Sequence, residues 1–241
     1  MSDEIELFDA GRAALVAGDV RPEAPPAENG PRWGAAAVLR PADPVLGSLA
    51  ELVDSIAVAA GDGHWAHHRS SLHFTLRALE HYRSSIPVGD ARRIAYAEAL
   101  DAAAQGMPPA LVELRGVCPH PAGVVAVGYP LDGVLATLQV RFAEELRARD
   151  VAGFEAWVRD RWYVSLFHFA GPVANREQVA AWCDERRDVR IGVVALDTVE
   201  VVRWHFMGAG VRAEGMHKAR LDSESAVECR RTTPSASAKC W

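Results

Sequence analysis

Two short runs carry residue types suited to proton transfer and anion binding. In SLHFTLRAL, His73 and Thr75 stand two apart; in WYVSLFHFAG, Tyr163 and Ser165 do the same, 90 residues later (163 − 73). Both runs are short and rich in apolar residues, so each reads as a β-strand. Alternate side chains of a strand share a face. His73 therefore points with Thr75, and Tyr163 with Ser165. Phe74, Leu76, Val164 and Leu166 take the other side, where helices can cover them. A buried strand normally carries branched apolar residues on both faces. An imidazole and a hydroxyl on one face leave polar groups that need partners. A phosphate held between two such strands satisfies them. The hydroxyls donate to non-bridging oxygens, and the histidine moves protons at the attacking or leaving oxygen.

Arginine forks match phosphate oxygens. By the same parity, Arg77 extends the His73/Thr75 face and Arg161 the Tyr163/Ser165 face, which places both at the rim of a common cleft; the simpler alternative is that each ends its strand in solvent. His168 lies five residues beyond Tyr163, an odd offset, so alternation turns it to the opposite face. His205 could enter from a neighbouring strand. His64, His67 and His68 read as a solvated loop rather than a metal site, since only Asp62 lies beside them. Tyr129 and Trp204 are aromatic surfaces that either stack on a base or pack in the core.

The two motifs, their spacing and the order of elements around them resemble the 2H phosphoesterase superfamily, also called the LigT or RNA 2′,3′-cyclic phosphodiesterase-like family, over roughly residues 32–221. HFTL matches that family's His-x-Thr/Ser-x motif in full. YVSL matches except at its first position. The segments RWGAAAVLRP and GVVAVGYPLDGVLATLQVRFAEEL also look like the family. The resemblance implies an α+β fold: two pseudo-symmetric lobes of mainly antiparallel sheet, with outer helices, around a central cleft. It further implies metal-free and cofactor-free acid/base cleavage of a cyclic phosphate or phosphodiester of a nucleotide or RNA end. His73 and Tyr163 then stand at the catalytic positions, with Thr75, Ser165, Arg77 and Arg161 toward the phosphate. A free tyrosine has a pKa near 10. It can donate a proton or a hydrogen bond, but it is a poor base at neutral pH. Two readings follow: an enzyme working on an activated diester, or a cleft that binds a nucleotide or phosphate ligand without catalysis.

The remaining sequence supplies elements to hold these strands. Residues 1–31 read as an arm and proline-rich linker, partly disordered, with a short helical piece over residues 8–17. Residues 32–221 form the two-lobed domain, and residues 222–241 a polar, disordered tail. Within the domain the order is β-α-β-α-β-β-α-β-α followed by one or two strands over 189–206, which fits largely antiparallel pairing. Val45, Leu46, Leu49, Leu52, Val53 and Ile56 mark one helical face that Gly61 closes. Asp90 and Gly106 bracket a second helix.

Composition bounds the rest. The 241 residues are 49% hydrophobic, enough for one large core. A net charge of −6 argues against coating a long nucleic acid, though not against a small phosphate pocket. No signal peptide and no membrane span is read, so the expected place is the cytoplasm and the expected partner a small nucleotide or RNA-end phosphate. The oligomeric state is left open. The four cysteines, Cys118, Cys183, Cys229 and Cys240, form no CxxC pair, so reduced thiols are expected, with the first two packed.

Overall fold

In a computed structural model of the chain, residues 2–152, 154–155, 157–208 and 210–222 are described, with side chains from residue 6. The elements are α1 Ser2–Ala17, β1 Ala36–Leu39, α2 Val45–Ala60, β2 Trp65–Ala66, β3 Phe74–Ala78, α3 Ala91–Ala104, β4 Ala110–His120, β5 Gly123–Pro130, α4 Val134–Ala148, β6 Trp162–His168, α5 Arg176–Glu185, β7 Arg190–Leu196, β8 Thr198–Phe206 and β9 Val211–Arg220. They form an α+β fold on one antiparallel sheet in the order β7-β4-β5-β6-β3-β1-β8-β9, with β2 added beside β6.

That order divides the sheet into two four-stranded halves, and the two motif strands meet at the division. β6 and β3 share one bridge, Phe74 opposite Val164. Beyond it they splay apart, and the segment before β6 fills the gap. The Glu155 carboxylate accepts from the Ala78 backbone N–H, its carbonyl accepts from Arg77, and its other oxygen pairs with Arg159 at 2.6 Å. Gln139 of α4 holds the same segment from outside through two hydrogen bonds with the Arg159 backbone. A buried backbone group left without its strand partner needs such a substitute.

All five helices contribute to one continuous core against one face of the sheet. In α2, Val45, Leu49, Val53, Ile56 and Ala60 are buried at helical spacing and Gly61 ends the helix. Asp90 caps α3 by accepting from the Arg92 and Arg93 N–H groups. The N-terminal arm packs on the body: Phe8 and Leu15 of α1 are buried, and at Gly11 an added Cβ would sit 1.9 Å from the Pro119 carbonyl, so only glycine permits this approach of α1 to β4. Gly128 on β5 similarly makes room for the ring of Phe74, the residue between His73 and Thr75.

The opposite, inner face carries a second, smaller cluster: Ala36, Val38, Trp65, Val202, Trp204 and Val211, with Trp33 and Phe206 against it. β9 completes this half. Sequence periodicity does not reveal it, because its residues are mostly half-exposed and Gly215 and Lys218 interrupt any apolar alternation. Cys118 and Cys183 are buried and unpaired, and burial raises their thiols to about 11 and about 12. Cys229, Cys240 and the tail from 223 lie outside the described residues.

Candidate functional site

Phe74 and Val164 are paired and both sit in the helix-side core. Their neighbours therefore project together from the inner face. Antiparallel partners on one face stand roughly 4.5–5.5 Å apart at Cβ. The register puts His73 across from Ser165 and Thr75 across from Tyr163. Extending that single bridge by one residue each way sets the four side chains as a square on the inner face, two per half of the sheet. Thr75 and Ser165 are half-buried, His73 is buried, and Tyr163 is 40% exposed.

Each motif strand carries a bulge at the same motif position. On β3, Ala37 and Val38 face Arg77 and Thr75, leaving Leu76 as the extra residue. On β6, Val124 and Val125 face Phe167 and Ser165, leaving Leu166 extra. A bulge inserts one residue and reverses the alternation that follows. Two expectations fail for this reason. Arg77 does not extend the His73/Thr75 face. It faces with Ala37 toward the helix side, buried, with its guanidinium on the Glu155 carbonyl. His168 does not turn away. It joins the inner-face aromatic cluster, 5.2 Å from Trp33 and 5.1 Å from His67 between ring centroids. Arg161, ahead of the bulge, stays where parity placed it, exposed beside Tyr163.

His73 is packed under Trp204, ring centroids 4.6 Å apart. Its Nδ1 lies 2.7 Å from the Ser71 carbonyl oxygen, which can only accept, so Nδ1 carries the proton and the neutral ring keeps its lone pair at Nε2. Burial lowers its pKa to about 4, against the Ser71 hydrogen bond that raises it, and the positive charges of Arg40 and Arg159 lower it further. At neutral pH His73 is thus an uncharged acceptor in fixed orientation.

A groove of about 860 Å³ lies over the other half. Tyr163, Ser165, Arg161 and His168 line it, with Val125 and Val127 of β5 on its floor side and Leu7, Ala10 and Gly11 of α1 among its walls. His73 and Thr75 do not line it. Tyr129 does, with Arg115 4.8 Å above its ring.

The other histidines are sorted by packing. His67 is buried rather than solvated; His68 is exposed, and His64 is half-buried, its Nδ1 accepting from the Ala170 N–H. Among the described residues, no three His, Cys, Asp or Glu side chains converge to hold a metal ion. His205 does not enter the site: it alternates with Trp204 along β8 and bonds to Glu214, whose carboxyl is thereby lowered to about 2, with help from Arg203. Trp204 takes the inner-face place, so of the two aromatic roles open to it, packing is the one observed. Sequence reasoning missed the group formed by His67, His168, Trp33 and Trp204, which only the bulge and the strand pairing bring together.

No protein-family model and no curated protein matches this chain. Among solved structures it is similar to the protein TT0787 of Thermus thermophilus, with a TM-score of 0.57 and 14% identity over 78% of this chain and 97% of that one. It is also similar to a protein described as a phosphoesterase, with a TM-score of 0.50 and 12% identity over 78% and 98%. At such identity the likeness speaks for the fold alone: the α+β arrangement of helices on one antiparallel sheet is shared with these two proteins.

Proposed function

We propose that this protein is a phosphodiesterase-like protein that cleaves a cyclic phosphate or phosphodiester of a nucleotide or RNA end, in the cytoplasm, with no metal in the chemistry. The observation that carries the reading is the square itself: a neutral His73 with its lone pair at Nε2, across from Ser165, with Thr75 across from Tyr163. His73 Nε2 accepts the proton of the attacking water as its oxygen bonds to phosphorus. The Tyr163 hydroxyl gives a proton to the leaving oxygen. Thr75 and Ser165 donate to the non-bridging oxygens, and Arg161 adds positive charge at the open side. An imidazole with a pKa of about 4 is a weak base. The substrate that suits it is one already activated, such as a strained 2′,3′-cyclic phosphate.

A second reading has its own observation. The groove is lined by Tyr163, Ser165 and Arg161 but not by His73 or Thr75, which suits a module that binds a small nucleotide or phosphate ligand without turning it over. A net charge of −6 favours a small ligand over a long nucleic acid in either case. No helix among the described residues is long and apolar enough to cross a membrane.

Incubation with 2′,3′-cyclic nucleotides and with short RNA ending in a 2′,3′-cyclic phosphate separates the two. The enzyme reading expects turnover that falls roughly 10²–10⁴-fold in His73→Ala. Turnover unchanged in that variant would overturn the mechanism. Thermal stabilisation by ligand with no turnover would establish the binder.

A further inference from the structure

The groove continues past Ser165 to the turn that joins β4 and β5, where Arg32 and His120 line it. The register puts His120 on the inner face: it pairs with Gly123, and Cys118 pairs with Val125, the residue opposite Ser165. From Ser165 to His120 is two strands across and two residues along. That is roughly 12 Å, from a strand spacing of about 4.8 Å and a rise of about 3.3 Å per residue. His120 is exposed, and its Nδ1 accepts from the Ala122 backbone N–H at 3.1 Å. A backbone N–H can only donate, so the neutral ring carries its proton on Nε2 and is a donor there.

Arg32 comes from the N-terminal arm, which is tied to this end of the sheet. The Arg21 N–H donates to the Pro121 carbonyl at 2.7 Å, and the Glu23 N–H to the Phe169 carbonyl at 2.6 Å. The Glu23 side chain is buried, and its Oε1 accepts from Trp33 Nε1 at 3.1 Å. Arg32 Nε lies 2.8 Å from the same oxygen, yet the Arg32 side chain is 59% exposed. A buried carboxylate thus anchors the Nε of an exposed guanidinium, whose two amino groups carry its other N–H donors. Partial desolvation lowers the pKa of His120, and the positive charges of Arg32 and Arg21 lower it further. Among the described residues that line the groove the one carboxylate is Asp160, which stands beside Arg161 at the other end.

We propose that Arg32 and His120 form a second anion subsite, which receives a second phosphate group of the ligand held at Tyr163 and Ser165. This rests on the reading that places a first phosphate at those two residues. The Arg32 amino groups and His120 Nε2 donate to the oxygens of the second phosphate, and Arg21 adds charge. Val125 lies between the two subsites, an apolar stretch suited to the sugar or base that links two phosphates. The ligand class is a nucleotide with at least two phosphates, either a nucleoside bisphosphate or a short oligonucleotide end. The groove's 860 Å³ lies within the usual range for a small-molecule site of about 300–1,000 Å³.

Calorimetric titrations with a nucleoside 3′-monophosphate, the 3′,5′-bisphosphate and a trinucleotide carrying a 3′-phosphate test this. The bisphosphate or the trinucleotide should bind about 10-fold or more tighter than the monophosphate, the gain expected of a charge-assisted contact. Which of them gains identifies the source of the second phosphate. The gain should vanish in Arg32→Gln and shrink in His120→Phe. A trinucleotide with uncharged methylphosphonate linkages should bind no better than the monophosphate; if it keeps the gain, the contact is to base or sugar and the proposal fails. Arg32→Gln leaves Glu23 buried without its cation. Should that variant not fold, wild-type NMR decides: the His120 ring resonances should move with the multiply phosphorylated ligand and stay in place with the monophosphate. Resonances that never move would overturn the proposal. Ser165→Ala reads the first subsite separately. Monophosphate binding that weakens in Ser165→Ala, with no gain from a further phosphate, would overturn the second subsite and leave the first standing. Monophosphate binding indifferent to Ser165→Ala would overturn the underlying reading, and the proposal with it.

Discussion

The two motif strands are built alike and finished differently. β3 and β6 each present a polar pair on the inner face, each is bulged at the leucine that follows, and each stands at the inner end of a four-stranded half. The β3 half keeps the complete His73/Thr75 pair and seals its histidine under Trp204. The β6 half has a tyrosine at the histidine position and opens onto the groove. Equivalent backbones thus hold a shielded imidazole on one side and an accessible phenol on the other. The motif geometry comes from the sheet, while accessibility comes from which side chain a neighbouring strand lays across it.

The sealed imidazoles make the strongest test of this contrast. His73 and His168 titrate near 4 and 3 in the folded chain, against about 6.5 when unfolded. Between those values the unfolded chain binds more protons, so stability is unaffected above pH 6.5 and falls as the pH drops below it. At pH 4 the two together cost on the order of 5 kcal/mol, comparable to the whole stability of a typical domain. Denaturant melts from pH 7.5 to 4 should show this decline, beginning near 6.5. A flat profile across that window would mean these rings are wet.

Trp204→Ala should cost about 3–5 kcal/mol as a core truncation. Its particular signature is at His73, whose pKa should rise toward 6.5 once the ring is exposed, as followed by NMR. A destabilised variant with His73 still near 4 would place the shielding elsewhere.

What the sequence made legible follows the same line. Alternation identified both strands, the shared faces of His73 with Thr75 and Tyr163 with Ser165, and the apolar residues between them. Helical spacing found α2, and Asp90 announced the start of α3. The errors lie beyond Leu76 and Leu166. Period-two reasoning holds only while the ladder is regular, and a bulged leucine looks like any other leucine. Arg77 and His168 were therefore assigned to each other's faces. The docking of α1 through Gly11 depends on a contact with Pro119, more than 100 residues away, which no local pattern encodes.

Tyr163→His would place an imidazole on the open side as well, making the two halves equal in chemistry though not in burial. An accessible histidine there keeps a pKa suited to proton transfer at neutral pH, unlike His73. Cyclic-nucleotide turnover should rise by about 10²-fold, the lower range for adding a general acid or base. No gain in a correctly folded variant would mean that the open half binds its ligand out of line with His73.

The smallest effect discriminates most finely between the halves. Each hydroxyl that donates to a phosphate oxygen contributes about 0.5–1.5 kcal/mol, or roughly 2- to 10-fold in affinity. Ser165 lines the groove and Thr75 does not. If the phosphate sits in the square between the strands, Thr75→Val and Ser165→Ala should weaken inorganic phosphate binding by similar factors in calorimetric titrations, and the double variant should lose about the product. If the ligand stays in the groove, Ser165→Ala alone should weaken it and Thr75→Val should leave it unchanged. The first pattern requires Trp204 to yield when ligand enters, because His73 and Thr75 act together only if the sealed half opens. The second makes the β6 half a self-sufficient binding surface, with the complete motif on β3 kept as packing beneath Trp204.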